Sequence, residues 1–156
     1  MELLKGKDGI VMELYDVGRD GEKYVASKLS ELGFTVLYVG GCQLYSLTGE
    51  RFATVDLEPF GMGKTFWVQV KYKEPRKYYP DTGMEKWRYE NIKKHQKESG
   101  IPALVLFTDS TKKIYGEWID NIDKCESSLG SKYNSKNGNT MIYWLLDKLK
   151  DYKELL

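Results

Sequence analysis

Asp56, Gln69 and Lys71 are the residues of this 156-residue chain whose types and spacing could act on one substrate together. They lie between Thr54 and Lys73, where apolar and polar residues alternate from Thr65 onward. Phe66, Val68, Val70 and Tyr72 fall on one face of an expected half-buried strand, and Trp67, Gln69, Lys71 and Lys73 on the other. Ala53 to Leu57 reads as a short strand before it, and Gly61-Met62-Gly63-Lys64 carries the glycines of a hairpin turn. With the turn centred between Met62 and Gly63, antiparallel pairing sets Asp56 opposite Gln69, and Lys71 follows two positions along on the same face. A single bulge would scatter the three. In register, they suit a divalent ion and a phosphate. The Asp56 carboxylate and the Gln69 side-chain oxygen are hard ligands for Mg2+, with Mn2+ as a substitute, and water, backbone carbonyls and phosphate complete the shell. Lys71 would hold an attacking water or offset charge on the phosphate in the transition state.

The elements that must position these groups begin with a helix. Asp20 is placed to cap it, Glu22, Val25, Leu29 and Leu32 share one stripe, and Gly33 ends it. Glu22 then has two readings: it points inward and joins the metal site, or it complements the helix dipole from the first turn. Phe34 to Val39 reads as a strand, broken by Gly40-Gly41-Cys42.

Gly21-Glu22 heading a helix, then Leu32-Gly33-Phe34-Thr35-Val36, a glycine break, Asp56 and Gln69-Val70-Lys71 resemble the PD-(D/E)XK nuclease superfamily in its glutamine variant. The order is similar to that of archaeal-type Holliday junction resolvases and Mrr-type endonucleases, and it covers roughly Gly18 to Phe107. The resemblance implies an α/β fold with a restriction-endonuclease-like core, a central mixed β-sheet flanked by helices. It implies one domain over 1–156, with the core at about 18–108 and a C-terminal extension at 109–156. It further implies a Mg2+-dependent endonuclease acting on DNA junctions, flaps or duplex, in which Asp56, Gln69, Glu22 and a carbonyl near Val70 hold the metal and Lys71 is the catalytic lysine. A resolvase of this kind works as a homodimer with two sites. Two departures stand out. Resolvases usually carry glutamate at the position of Gln69, and Gln43 to Phe52 is an added segment, either a hairpin of its own or a substrate-contacting loop.

Composition sets bounds on these readings. With 41% hydrophobic and 30% charged residues the chain suits one globular domain. No apolar run marks a signal peptide or a membrane span, so the expectation is a soluble cytoplasmic protein. Cys42 and Cys125 are too few for a disulfide scaffold, and with His95 the only histidine no Cys/His zinc site can be assembled. No GxxxxGK[ST] loop is present. The net charge of +1 hides a surplus of basic residues from Lys64 to Lys97, as a polyanion-binding groove requires.

That stretch holds the candidate DNA-binding residues. Lys73, Arg76, Lys77, Tyr78 and Tyr79 lie where Pro75 and Pro80 make a loop, and could grip phosphate and stack on an unpaired base; otherwise the tyrosines pack on the domain. Lys86 and Arg88 belong to an expected helix from Met84 to about Ser99, anchored by Trp87 and Ile92, whose charged side lines a DNA groove or merely solubilises the helix. His95 on this lysine-rich helix is expected to be exposed. Ala103 to Phe107 reads as a buried strand, Ile114 to Ile119 and Met141 to Trp144 as further strands, Ser127 to Asn139 as a loop and Leu145 to Leu156 as a terminal helix. Two other functions remain open: a nucleic-acid-binding module on a nuclease-like fold without catalysis, which Gln69 keeps in play, and an interaction protein. The former binds DNA without cutting it, and the latter shows no salt-dependent DNA affinity.

Overall fold

The computed structural model describes residues 14–40, 44–45, 51–52, 55–129 and 140–156. In chain order the elements are α1 (Leu14–Glu31), β1 (Thr35–Tyr38), β2 (Leu44–Tyr45), β3 (Arg51–Phe52), β4 (Leu57–Gly61), β5 (Lys64–Thr65), β6 (Trp67–Tyr72) and β7 (Asp81–Glu85). There follow α2 (Lys86–Ser99), β8 (Ala103–Thr108), β9 (Ile114–Trp118), β10 (Met141–Leu145), β11 (Lys150–Asp151) and α3 (Tyr152–Leu155). The main sheet runs β1-β4-β6-β8-β9-β11, with β5 also paired to β4. Among the described strands only β6 and β8 pair in parallel, joined through β7 and α2, so the sheet is mixed and helices flank it as expected.

The hairpin keeps the expected register but shifts its first arm. Phe60 pairs with Thr65 and Leu57 with Val68 across a turn at Met62 and Gly63, both at positive φ (51° and 73°), the twist that two-residue hairpins need. The first strand is therefore β4, at 57–61 rather than 53–57, because a two-residue turn lets the ladder begin beside the loop. Asp56 ends up just before the strand, with its backbone held on both sides by bonds to Val39, Gly40 and Val68.

Strand β6 is buried on both faces rather than one. Phe66, Val68 and Val70 pack with Val25 and Leu29 of α1, while Trp67 packs with Ile92 of α2 and with Met84 and Trp144 of the β7/β10 pair. Two layers cover the sheet, so alternation there distinguishes two cores and not core from solvent. Helix α1 starts at Leu14, six residues before Asp20, which is exposed within the helix and is not its cap. At its end Gly33 (φ 103°) closes the last turn by donating to the Ser30 carbonyl. Replacing Gly33 with alanine is expected to lower the unfolding free energy by about 1–2 kcal/mol in urea titrations, because a side chain there must adopt a left-handed backbone. An unchanged midpoint would contradict this reading of the cap.

Long-range pairing overrides the local signals elsewhere. Met84 and Glu85 belong to β7, which pairs with β10, so α2 begins at Lys86. Trp87 is 46% exposed and does not anchor α2. Tyr89, Ile92 and His95 do: His95 is fully buried, edge-on to Trp67 at 4.5 Å between ring centroids, and the expectation of an exposed histidine fails. The terminal helix is shorter than the expected 145–156: a 3-10 turn leads into β11 at the sheet edge before α3 begins, and Leu149 and Tyr152 enter opposite cores. Segment 43–52 contains a hairpin, with Leu44 paired to Phe52 and Tyr45 to Arg51. Most of the loop expected at 127–139 lies outside the described residues.

Candidate active site

Asp56 sits at the gap where β4 begins and β6 runs on beside β8. Its Oδ2 accepts hydrogen bonds from Gln69 Nε2 at 2.6 Å and from the Val70 backbone N at 2.8 Å. Asp56 and Gln69 therefore meet as the register requires. A residue's N–H and C=O point to the same side of a strand, so the Val70 carbonyl also faces this gap. Among the described residues the Gln69 carboxamide oxygen accepts no hydrogen bond, since its amide nitrogen is the atom turned to Asp56.

Glu22 arrives from α1. Close packing brings it there: a Cβ built on Gly21 would lie 3.2 Å from the Tyr72 Cβ, so glycine lets the helix approach the end of β6. Glu22 is half-buried and lies beside Asp56 in the cleft. Burial, then the Asp56 charge, push its pKa up to about 7, against the weaker pull of Arg19 and Arg88. Burial also raises the Asp56 carboxyl, opposed by the Val70 N–H and by Arg88. Burial is the largest cause in both, so the two neighbouring carboxyls are each harder to ionise than in water. Of the two readings of Glu22, the inward one describes its position.

Lys71 does not bond to Asp56. Its ammonium lies 3.2 and 3.3 Å from the two carboxylate oxygens of Glu85, which also meets Arg88 Nε at 3.4 Å. Glu85 escaped the sequence reading because it was assigned to a helix, and only the β7–β10 pairing brings it beside β6. Glu22, Asp56, Gln69, Val70 and Lys71 all line one cleft of about 1100 Å³.

The expected DNA-binding residues divide. Lys73 and Arg88 line the cleft. Burial and the neighbouring Lys71 lower the pKa of Lys73, whose ammonium lies 5.3 Å from the Tyr143 ring centre. Arg76 lies outside the lining and is engaged internally, its guanidinium bonded to Asp81 at 2.5 Å through both Nε and Nη2 and stacked on Tyr143 and Tyr79. Lys77 and Tyr78 are exposed together, and Lys86 pairs with Glu90; none of the three lines the cleft. Arg19 and Lys23 of α1 do, and were missed. Lys23 lay within the expected helix, whereas Arg19 preceded the expected Asp20 cap and is helical only because α1 starts at Leu14.

No protein-family model matches the sequence, and no curated protein matches it. A solved structure does: Hjc of Archaeoglobus fulgidus, a Holliday junction resolvase from an archaeal hyperthermophile. The two superpose with a TM-score of 0.55 at 14% identity, over 80% of this chain and 87% of Hjc. The chain has the Hjc fold. Identity this low establishes the architecture alone, and the resemblance read from Gly21-Glu22, Asp56 and Gln69-Val70-Lys71 foretold that architecture. No described helix is long and apolar enough to cross a membrane.

Proposed function

We propose that this protein is a Mg2+-dependent nuclease hydrolysing DNA phosphodiester bonds, and that it selects its substrate by structure rather than by sequence. The observation that carries this reading is the convergence of Glu22, Asp56 and Gln69 beside Lys71 in one cleft, on a fold shared with a resolvase.

The donor set fits the ion. Among the described residues no cluster of three or more His, Cys, Asp or Glu side chains forms. Magnesium needs no such cluster, binding through one or two carboxylates while keeping several waters. Asp56, Glu22, the Gln69 oxygen and the Val70 carbonyl would hold it, and two neighbouring carboxyls whose charge burial disfavours would gain from a cation between them. When bound, the ion would polarise the phosphate and lower the pKa of a water. Gln69 keeps an oxygen donor while removing a charge, so affinity is weaker than with a third acid. Lys71, positioned by Glu85, presents its ammonium to the phosphate or the attacking water. Lys73, Arg88, Arg19 and Lys23 supply positive charge along the walls. The fold shared with Hjc favours junctions, flaps or ends as substrates and a homodimer as the working form.

The test is incubation with a fixed four-way junction, a flap, linear duplex and single strand, with and without Mg2+. Metal-dependent cutting of branched substrates over duplex is the expected result. Binding in Mg2+ and Mn2+ without cleavage would replace this reading with that of a non-catalytic nucleic-acid-binding module.

Glu22 gives a second expectation. Its folded-state pKa of about 7 lies above the ordinary 4.5, so the folded protein holds this proton more tightly than the unfolded chain. Stability contributed by the group is therefore full below about 4.5 and falls as pH rises toward 7. The metal-free melting temperature should decline across that window, and Glu22→Gln should flatten the decline. Added Mg2+ should raise the melting temperature more at pH 8 than at pH 6, since it competes with the proton. Equal Mg2+ shifts at both pH values, read by scanning fluorimetry, would count against Glu22 as a ligand.

A further inference from the structure

We propose that Tyr38 and Tyr72 form a nucleobase-stacking subsite at the mouth of the cleft, which takes DNA carrying an unpaired nucleotide. That this nucleotide sits next to a scissile phosphate rests on the nuclease reading above; the stacking itself does not.

Strands β1 and β6 both run antiparallel to β4, so they point the same way, and Tyr38, opposite Leu57 and so level with Val68, lies four residues behind Tyr72 along that direction. Tyr38 is the last residue of β1 and Tyr72 the last of β6. Between those two strand ends lies Asp56, one residue before β4. Tyr38 is paired with Leu57, and Tyr72 alternates with Val68 and Val70. Leu57, Val68 and Val70 all belong to the core beneath α1, so both rings stand on the α1 face of the sheet. Both line the cleft that holds Asp56 and Lys71.

Neither ring is fully taken up by the core. Tyr38 is 55% exposed and Tyr72 37%. Other tyrosines of this chain anchor their hydroxyls: Tyr24 donates to the Lys112 carbonyl, Tyr89 to Asp123 and Tyr115 to Asp109. Among the described residues the hydroxyls of Tyr38 and Tyr72 make no hydrogen bond. Tyr72 is nonetheless fixed at its root, because its Cβ packs against Gly21. A rigidly rooted aromatic with an open face in a cation-lined groove is a platform for a base, and such stacking tolerates any sequence. A base inside a duplex has both faces covered by its neighbours. Only an unpaired one, in a gap, flap or loop, can present a face to these rings.

The test uses the full chain in EDTA, so that nothing is cut, with oligonucleotides carrying 2-aminopurine unpaired within a gap, in single strand, or paired within continuous duplex. Quenching of the unpaired probes and none of the paired one is expected. Tyr38→Ala and Tyr72→Ala should each weaken binding of the unpaired probes by roughly 5- to 100-fold, the range for one stacked base, and change duplex binding less than about twofold. Tyr38→Phe and Tyr72→Phe keep the ring and should bind like the parent, which separates stacking from a general loss of structure. Equal weakening on all probes, failure of the phenylalanine variants, or no preference for unpaired bases would overturn the proposal. Stacking without Mg2+-dependent cleavage would remove only the nuclease reading, and cleavage without stacking only this one.

Discussion

Asp56→Asn is expected to abolish Mg2+-dependent cleavage, a fall of at least about 10³-fold, while the melting temperature stays level or rises. The two halves of this expectation have the same cause. Asp56 is crowded against Glu22 and raised in pKa by burial, so its charge is unfavourable in the metal-free fold. Asparagine keeps an oxygen for the Val70 N–H, and a turned Gln69 carboxamide satisfies its new amide. The charged ligand is lost without loss of packing. Cleavage of a labelled flap or junction measured beside a thermal melt decides the matter: activity within tenfold of the parent would refute the role of Asp56, and a collapsed melting temperature would show its role to be structural.

The largest stability effect is expected at a site that does no chemistry. Asp81 is fully buried and accepts from Arg76 through two bonds of 2.5 Å and from Ser127 Oγ at 2.6 Å. Burial would raise its pKa, but the Arg76 and Ser127 bonds prevail and hold the carboxyl below its ordinary range. Asp81→Ala leaves the guanidinium, only 16% exposed, without its counter-ion, and should cost about 3–5 kcal/mol in urea unfolding. Replacing both partners with apolar residues should recover much of that, since the penalty is the uncompensated charge. A loss below about 1 kcal/mol for Asp81→Ala would mean that water reaches Arg76. Because the carboxyl is depressed, its contribution is present above the ordinary carboxylate range and disappears as pH falls through the lowered value. Arg76, a DNA-binding expectation from sequence, is thus engaged in holding the 74–80 loop against β10, with Tyr143 beneath it.

How far the site could be read in advance follows from the range of the forces involved. The alternation from Phe66 to Lys73 and the Met62-Gly63 turn are local, and together they were enough to put Asp56 opposite Gln69. Glu22 was legible as a position on a helical stripe, although its direction was not. Glu85 was invisible: its neighbour Met84 looks helical until Ile142, some sixty residues away, claims it as a strand partner. His95 and Trp87 exchanged their expected environments for the same reason, because the placement of α2 against β6 and β8 selects which side of the helix is covered.

The amino-acid order by itself determined the hairpin and its register, the alternation of the central strand and the ends of its chief helices near glycine, since each depends on backbone sterics within a few residues. Tertiary structure alone decided which charges meet. The Lys71–Glu85 and Arg76–Asp81 pairs, the raised carboxyls of Glu22 and Asp56, and the two part-exposed tyrosines of one cleft all arise from segments brought together by burial of two apolar cores. Burial is blind to the order of residues along the chain, and a charge acquires its partner and its pKa only when the chain has closed around it.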